Sequence, residues 1–149
     1  MSTAMPQAPV KVSEVTTASE EIASALGMLA RRLPRYSQTP TVADVQRIVD
    51  NPSTRLIIAR DDDEEIVGMM TVALYSLPTG VRAWLEDVAV ARSGRGIGRA
   101  LTEEALRIAR EGGAADAELI VQPSQTGGLK MASLMGFGPN DEDTRRIRL

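Results

Sequence analysis

The 149-residue chain is 43% hydrophobic and 25% charged, with a net charge of −3 at neutral pH, an ordinary balance for a globular protein able to bury its own core. It has no cysteine and no histidine, which removes disulfides, thiolate nucleophiles, the commonest metal ligands and every Ser-His-Asp or Cys-His catalytic arrangement. The charge balance offers no footprint for nucleic acid, and no apolar run approaches the roughly 20 residues that cross a bilayer, so a cytoplasmic protein with neither nucleic-acid nor membrane partner is expected.

Residues 1–9 (MSTAMPQAP) are small and polar with two prolines and read as a flexible tail, leaving 10–149 as a single domain. Val10 to Val15 alternates apolar and polar and predicts a first strand. Thr16 to Ser19 offers N-cap residues for a helix over 17–33, marked by Ile22, Ala25, Leu26, Leu29 and Leu33 and stopped by Pro34, with Arg31 and Arg32 suited to its C-terminal end. A loop carrying Tyr36 reads as an ordinary helix connection, and Thr41 caps a short helix through Val42, Val45, Ile48 and Val49.

Thr54 to Arg60 and Ile66 to Ser76 predict a β-hairpin around the acidic turn Asp61 to Glu65. Those carboxylates lack the alternating ligands and glycine of an EF-hand and read as a solvated tip, so no metal site is expected. A turn at Leu77 to Gly80 leads into a strand over 81–90, where simple alternation puts Trp84, Glu86 and Val88 on one face and Leu85, Asp87 and Ala89 on the other. Ser93 to Gly98 then opens directly into a helix with Leu101, Ala105, Ile108 and Ala109 on one side, halted by Gly112-Gly113. Ala117 to Val121 predicts a further strand, a short helix begins at Ser124 or Thr126 and ends at Gly136, and Thr144 to Leu149 predicts a last strand. Strands and helices in this order make a three-layer α/β pattern with a mixed, mostly antiparallel sheet.

The strand, glycine turn and helix from Trp84 to Glu111 carry the chemistry. The first turn of a helix has backbone N–H groups without intrahelical acceptors at the positive end of the helix dipole, which suits a phosphate. Glycines at 94, 96 and 98 let the backbone approach a ligand, and Arg92, Arg95 and Arg99 add positive charge. A Walker A loop would require Gly-Lys-Ser/Thr at its end, and a dinucleotide fingerprint starting at Gly94 would require glycine or alanine where Arg99 stands.

What remains, Gly94-Arg95-Gly96-Ile97-Gly98-Arg99-Ala100 after a strand, closely resembles the acyl-CoA pyrophosphate loop of the GNAT superfamily of N-acyltransferases. The element order, the Glu86-Asp87-Val88-Ala89-Val90 segment and the closing Gly136-Phe137 are similar to small bacterial members of that superfamily. The resemblance implies a GNAT-like fold, acetyl-CoA as co-substrate without a metal, and a small-molecule or peptide amine as acceptor. It also implies pantetheine along Val88, Ala89 and Val90 and pyrophosphate over Arg95, Gly96, Gly98, Arg99 and Ala100, and it allows a homodimer. Glu86 is the candidate catalytic base for direct transfer.

Two departures stand out. Ser93 occupies the place where the family has arginine or glutamine, and in the C-terminal helix the usual asparagine and tyrosine are replaced by Leu129 and Ala132. That tyrosine is the family's usual general acid. Besides amine acetylation, the sequence therefore accommodates a GNAT-like protein that binds CoA or a partner without transfer, or one turned to other chemistry. Lys130 reads as an exposed helix lysine.

Overall fold

The computed structural model describes residues 10–34, 38–122 and 124–149; the expected tail 1–9, Tyr36 and Pro123 lie outside these. The elements are β1 (Lys11–Glu14), α1 (Glu20–Ala30), α2 (Val42–Asp50), β2 (Thr54–Arg60), β3 (Ile66–Leu77), β4 (Gly80–Val90), α3 (Ile97–Glu111), β5 (Ala114–Leu119) and α4 (Thr126–Leu134). One five-stranded sheet runs in the order β1-β2-β3-β4-β5. All neighbours are antiparallel except β4 and β5, which are parallel and joined through α3.

Alternation along β2 assigns the two faces. Leu56 and Ile58 pack with Ile22, Leu26, Leu29 and Val45 of α1 and α2, whereas Ile57 and Ala59 pack with Ile97, Leu101, Ala105 and Ile108 of α3. Leu101 and Ala105 are fully buried, and burying an aliphatic side chain of leucine size contributes about 1.5–3 kcal/mol. At Gly68 of β3 the helix comes so close that a Cβ would lie 2.7 Å from Ile97 Cγ2 and 2.9 Å from Leu101 Cδ1. The absent side chain at 68 sets the height of the α3 N-terminus above the sheet.

Helix α1 is shorter than the expected 17–33. Ser19 accepts from the Ile22 amide at 3.2 Å to start it, and after Ala30 the chain turns through Arg32 N–H to Leu29 and Leu33 N–H to Ala30 carbonyls (both 3.0 Å). The proline at 34 disfavours helical backbone at Leu33, so the helix stops before the apolar pattern does. Strand β5 begins three residues earlier than expected and ends at Leu119, because Ile120 and Val121 leave the ladder.

Two further expectations are corrected. Residues 144–149 form no strand and are exposed; Ile147 and Leu149 are the apolar residues of that segment, too little to bury without a neighbouring strand. The simple alternation along β4 also fails. Met69 pairs with Ala89 and Thr71 with Glu86, so Asp87 and Val88 together oppose Met70 alone. This is a β-bulge, with Asp87 in the left-handed region at φ 54°. Beyond it the faces exchange: Leu85, Val88 and Val90 pack on the α3 side and Ala89 on the α1 side, so Glu86 and Val88 face opposite ways.

Candidate active site

Strands β4 and β5 separate where the bulge begins. Their ladder runs from Val81 opposite Ala114 to Leu85 opposite Leu119, and it closes with the Ile120 N–H donating to the Leu85 carbonyl at 3.0 Å. From Glu86 onward the edge of β4 that faced β5 borders a cleft of about 660 Å³. Leu119 to Gln122 forms the opposite wall, the 92–96 turn and the first residues of α3 form one end, and α4 and Arg32 to Pro34 complete the lining.

At that end the backbone turns through Gly94 (φ 73°) and Gly96 (φ 75°), both left-handed, which glycine adopts without strain. Gly96 is the N-cap of α3, and no side chain caps the helix. The contrast with the first two helices is direct. Ser19 caps α1 with Glu20 and Glu21 in its first turn, and Thr41 forms a reciprocal capping box with Asp44 in α2. Helix α3 has no acidic residue in its first turn, so the amides of Ile97, Gly98 and Arg99 remain without intrahelical acceptors at the positive end of a 15-residue helix. A Cβ at Gly98 would have Met131 Cε at 3.9 Å as its nearest neighbour, leaving the backbone open to the cleft. The Thr102 hydroxyl, fully buried, donates to the Gly98 carbonyl at 2.7 Å and secures this first turn.

Of the residues singled out in the sequence, Glu86, Val88, Ala89, Val90, Arg95, Gly96, Gly98 and Arg99 all line the cleft. Ala100 does not join them, because its amide already donates to the Gly96 carbonyl at 3.0 Å and is committed to the helix. Arg92 and Arg95 are exposed beside the turn, and Arg99 forms a solvent-facing pair with Glu103 at 3.1 Å. Glu86 is half-buried and has no hydrogen bond or ion pair among the described residues, so its carboxylate is available to a ligand.

The side chain at 132 is not part of the cleft. Ala132 is 9% exposed, and α4 presents Thr126, Gly127, Gly128, Lys130, Met131 and Leu134 to the cavity. The exchangeable side-chain protons of that face are those of the Thr126 hydroxyl and the Lys130 ammonium, and none is at position 132. Sequence reasoning did not anticipate Met131, the wall at Leu119 to Gln122, or Arg32 to Pro34; the last belongs to the expected end of the first helix, and no local motif marks it as part of a cleft.

The family model described as the acetyltransferase (GNAT) family matches residues 22–137. The chain belongs to the GNAT acetyltransferase family. It is thus an enzyme of acetyl transfer, and the matched range includes the glycine turn at the end of the cleft. A comparison with curated proteins gives no match. In shape the domain is similar to a transcriptional regulator from Bacillus halodurans C-125, with 27% identity, a TM-score of 0.77, and coverage of 94% of this chain and 100% of that one. It is also similar to an acetyltransferase from Trypanosoma brucei (19% identity, TM-score 0.75, 95% and 100% covered). A glucosamine-6-phosphate N-acetyltransferase from Arabidopsis thaliana shares the fold at 13% identity, with a TM-score of 0.74 and 93% and 98% covered.

Proposed function

We propose that this GNAT acetyltransferase moves an acetyl group from acetyl-CoA directly to a primary amine. The observation that carries the reading is the uncapped N-terminus of α3, flanked by Arg92 and Arg95, at the end of a cleft that also holds the free edge of β4 and the unpaired Glu86. The amides of Ile97, Gly98 and Arg99 and the neighbouring guanidinium groups suit the pyrophosphate. The open edge from Val88 to Val90 offers backbone donors and acceptors to an extended, amide-containing chain such as pantetheine.

In this reading Glu86 takes a proton from the acceptor ammonium, directly or through one water. The amine nitrogen then forms a bond to the thioester carbonyl carbon, the nitrogen loses its second proton to solvent, the C–S bond breaks, and CoA leaves as its thiolate. A thiol with an ordinary pKa of about 8.5 is a fair leaving group as the thiolate, so solvent at the open cleft supplies its proton in place of the missing tyrosine. The acceptor is a small-molecule or peptide amine, and the working unit is the single domain 10–149, alone or as a homodimer. We place it in the cytoplasm; no helix among the described residues is long and apolar enough to cross a membrane. The composition favours neither nucleic acid nor a lipid surface as a partner.

The test is calorimetric titration with acetyl-CoA and CoA, followed by thiol release with a panel of amines. Micromolar binding that Gly96→Glu abolishes, with turnover that Glu86→Gln lowers about 100- to 10,000-fold, is the expected result. Binding without turnover of any amine would favour the second reading, a CoA-binding GNAT protein without transfer, to which the replacement of the usual tyrosine by the buried Ala132 lends support.

A further inference from the structure

The cations of the cleft divide by origin. Arg92, Arg95, Arg99 and Lys130 come from the glycine turn, α3 and α4, around the proposed pyrophosphate site. Arg32 comes from the other side of the sheet, in the turn that follows α1. That is the face to which Glu86 is directed, since Leu85 before it packs on the α3 layer and Ala89 beyond the bulge packs on the α1 layer.

On the same side of the sheet, Arg60 of β2 pairs with Glu21 at 2.8 Å and Arg47 of α2 pairs with Asp44, whereas the exposed Arg31 beside Arg32 has no carboxylate partner among the described residues and does not line the cleft. Arg32 has none among the described residues, although Glu86 and Asp87 line the same cleft. Its backbone is held by the N–H to Leu29 at 3.0 Å, and Leu33 and Pro34 follow it along the wall. A cleft therefore carries an unpaired carboxylate on β4 and an unpaired guanidinium on the facing turn. A ligand that satisfies both has a cationic end and an anionic end, and the guanidinium fork matches a carboxylate or a phosphate.

We propose that Arg32 makes the acceptor site selective for amines that carry an anionic group, with the ammonium directed to Glu86 and the anion to Arg32. This rests on the reading of the protein as an amine acetyltransferase. Arg32 is a specificity-determining residue in this scheme and takes no part in proton transfer.

The experiment measures steady-state acetylation of amine pairs with and without the anion: phosphoethanolamine and ethanolamine, β-alanine and its isostere β-alaninamide, glucosamine 6-phosphate and glucosamine. The anionic member of at least one pair is expected to have a kcat/KM about tenfold above its neutral partner, the difference residing in KM. In Arg32→Gln the KM of the anionic member rises to that of its neutral partner, and Arg32→Lys restores part of the gap. The phosphate and carboxylate pairs decide which anion is preferred. Equal use of both members, or an equal loss for both in Arg32→Gln, overturns the inference. Should no amine be acetylated, the transfer reading fails on its own, and the CoA-saturated protein is titrated with the three anionic amines. Binding that Arg32→Gln abolishes then sustains the selectivity, and binding that is absent or indifferent to Arg32 overturns it.

Discussion

Gly68 lies on β3, outside the cleft, yet its substitution by alanine is expected to weaken both the fold and the binding of acetyl-CoA. The new Cβ would stand 2.7 Å from Ile97 Cγ2 and 2.9 Å from Leu101 Cδ1, inside the contact distance that packed carbons tolerate. Ile97 is 4% exposed and Leu101 fully buried, so neither has free space to retreat into. A helical isoleucine is also locked at χ1, which prevents Cγ2 from swinging aside. The strain must move the first turn of α3 away from the sheet. Overpacking of this kind costs about 1–3 kcal/mol, which for a domain of this length lowers Tm by about 3–10 °C. Because Ile97 contributes one of the free amides, acetyl-CoA affinity falls along with Tm. Scanning calorimetry and titration of the same sample measure both. In a cycle with Ile97→Ala, the two changes couple by at least about 0.5 kcal/mol, since removing Cγ2 relieves the clash. A Gly68→Ala protein with unchanged Tm and unchanged affinity would refute the argument that this contact positions the helix.

Asp87→Val should lower Tm by about 2–6 °C, because a β-branched residue in the left-handed region costs about 1–2 kcal/mol, whereas Asp87→Asn leaves Tm within a degree. Equal stability of the two variants would mean the bulge is not held at φ 54° in solution. The capping box of α2 predicts an acid dependence: the Thr41 backbone N–H first, then the Arg47 guanidinium and the Thr41 hydroxyl, hold the Asp44 carboxyl below its ordinary 3.8. A carboxyl depressed in the folded state stabilises above its unfolded pKa and loses that stabilisation as pH falls through the folded one. The stability gap between wild type and Asp44→Asn, followed by urea unfolding, is therefore constant at neutral pH and closes below about pH 4. A gap that persists at lower pH would contradict it.

The parts of the fold legible in the sequence were those whose signal is local. Ser19 and Thr41 mark helix starts by the hydrogen bonds their side chains make, Gly112-Gly113 ends α3, and the glycines of the 94–98 turn mark both a left-handed N-cap and an open anion site. What escaped was set by pairing at a distance. Nothing around Asp87 distinguishes it from a residue in regular alternation; the bulge exists because Met70 across the ladder accommodates two residues. The departure of β5 after Leu119 is likewise a property of two strands together, invisible in Ala114 to Val121 taken alone. The strand expected over 144–149 had the right alternation without a partner; just before it, Glu142 pairs with Arg82 of β4 at 3.4 Å.

The irregular features of this chain gather at one end of β4, and each leaves something unsatisfied there. The bulge at Asp87 gives up regular pairing and a preferred backbone conformation; the exit of β5 strands the edge of Glu86 to Val90; Gly96 starts α3 without a capping side chain. A missing cap alone forfeits about 1 kcal/mol relative to serine or aspartate at the same place. Since α1 and α2 each have a capping side chain, the fold can supply such groups where stability is all they serve. In the acetyl-CoA complex we propose, an aspartate or glutamate at the α3 N-terminus would satisfy the same amides that a phosphate oxygen must reach, and its charge would repel the ligand. The absence of a cap and the presence of arginines are thus two sides of one requirement. The same bulge that opens the β4 edge turns Glu86 to the opposite face from Val88, so in the transfer we propose a ligand along the edge and the Glu86 carboxylate on the α1 side would meet at a single strand without competing for the same space.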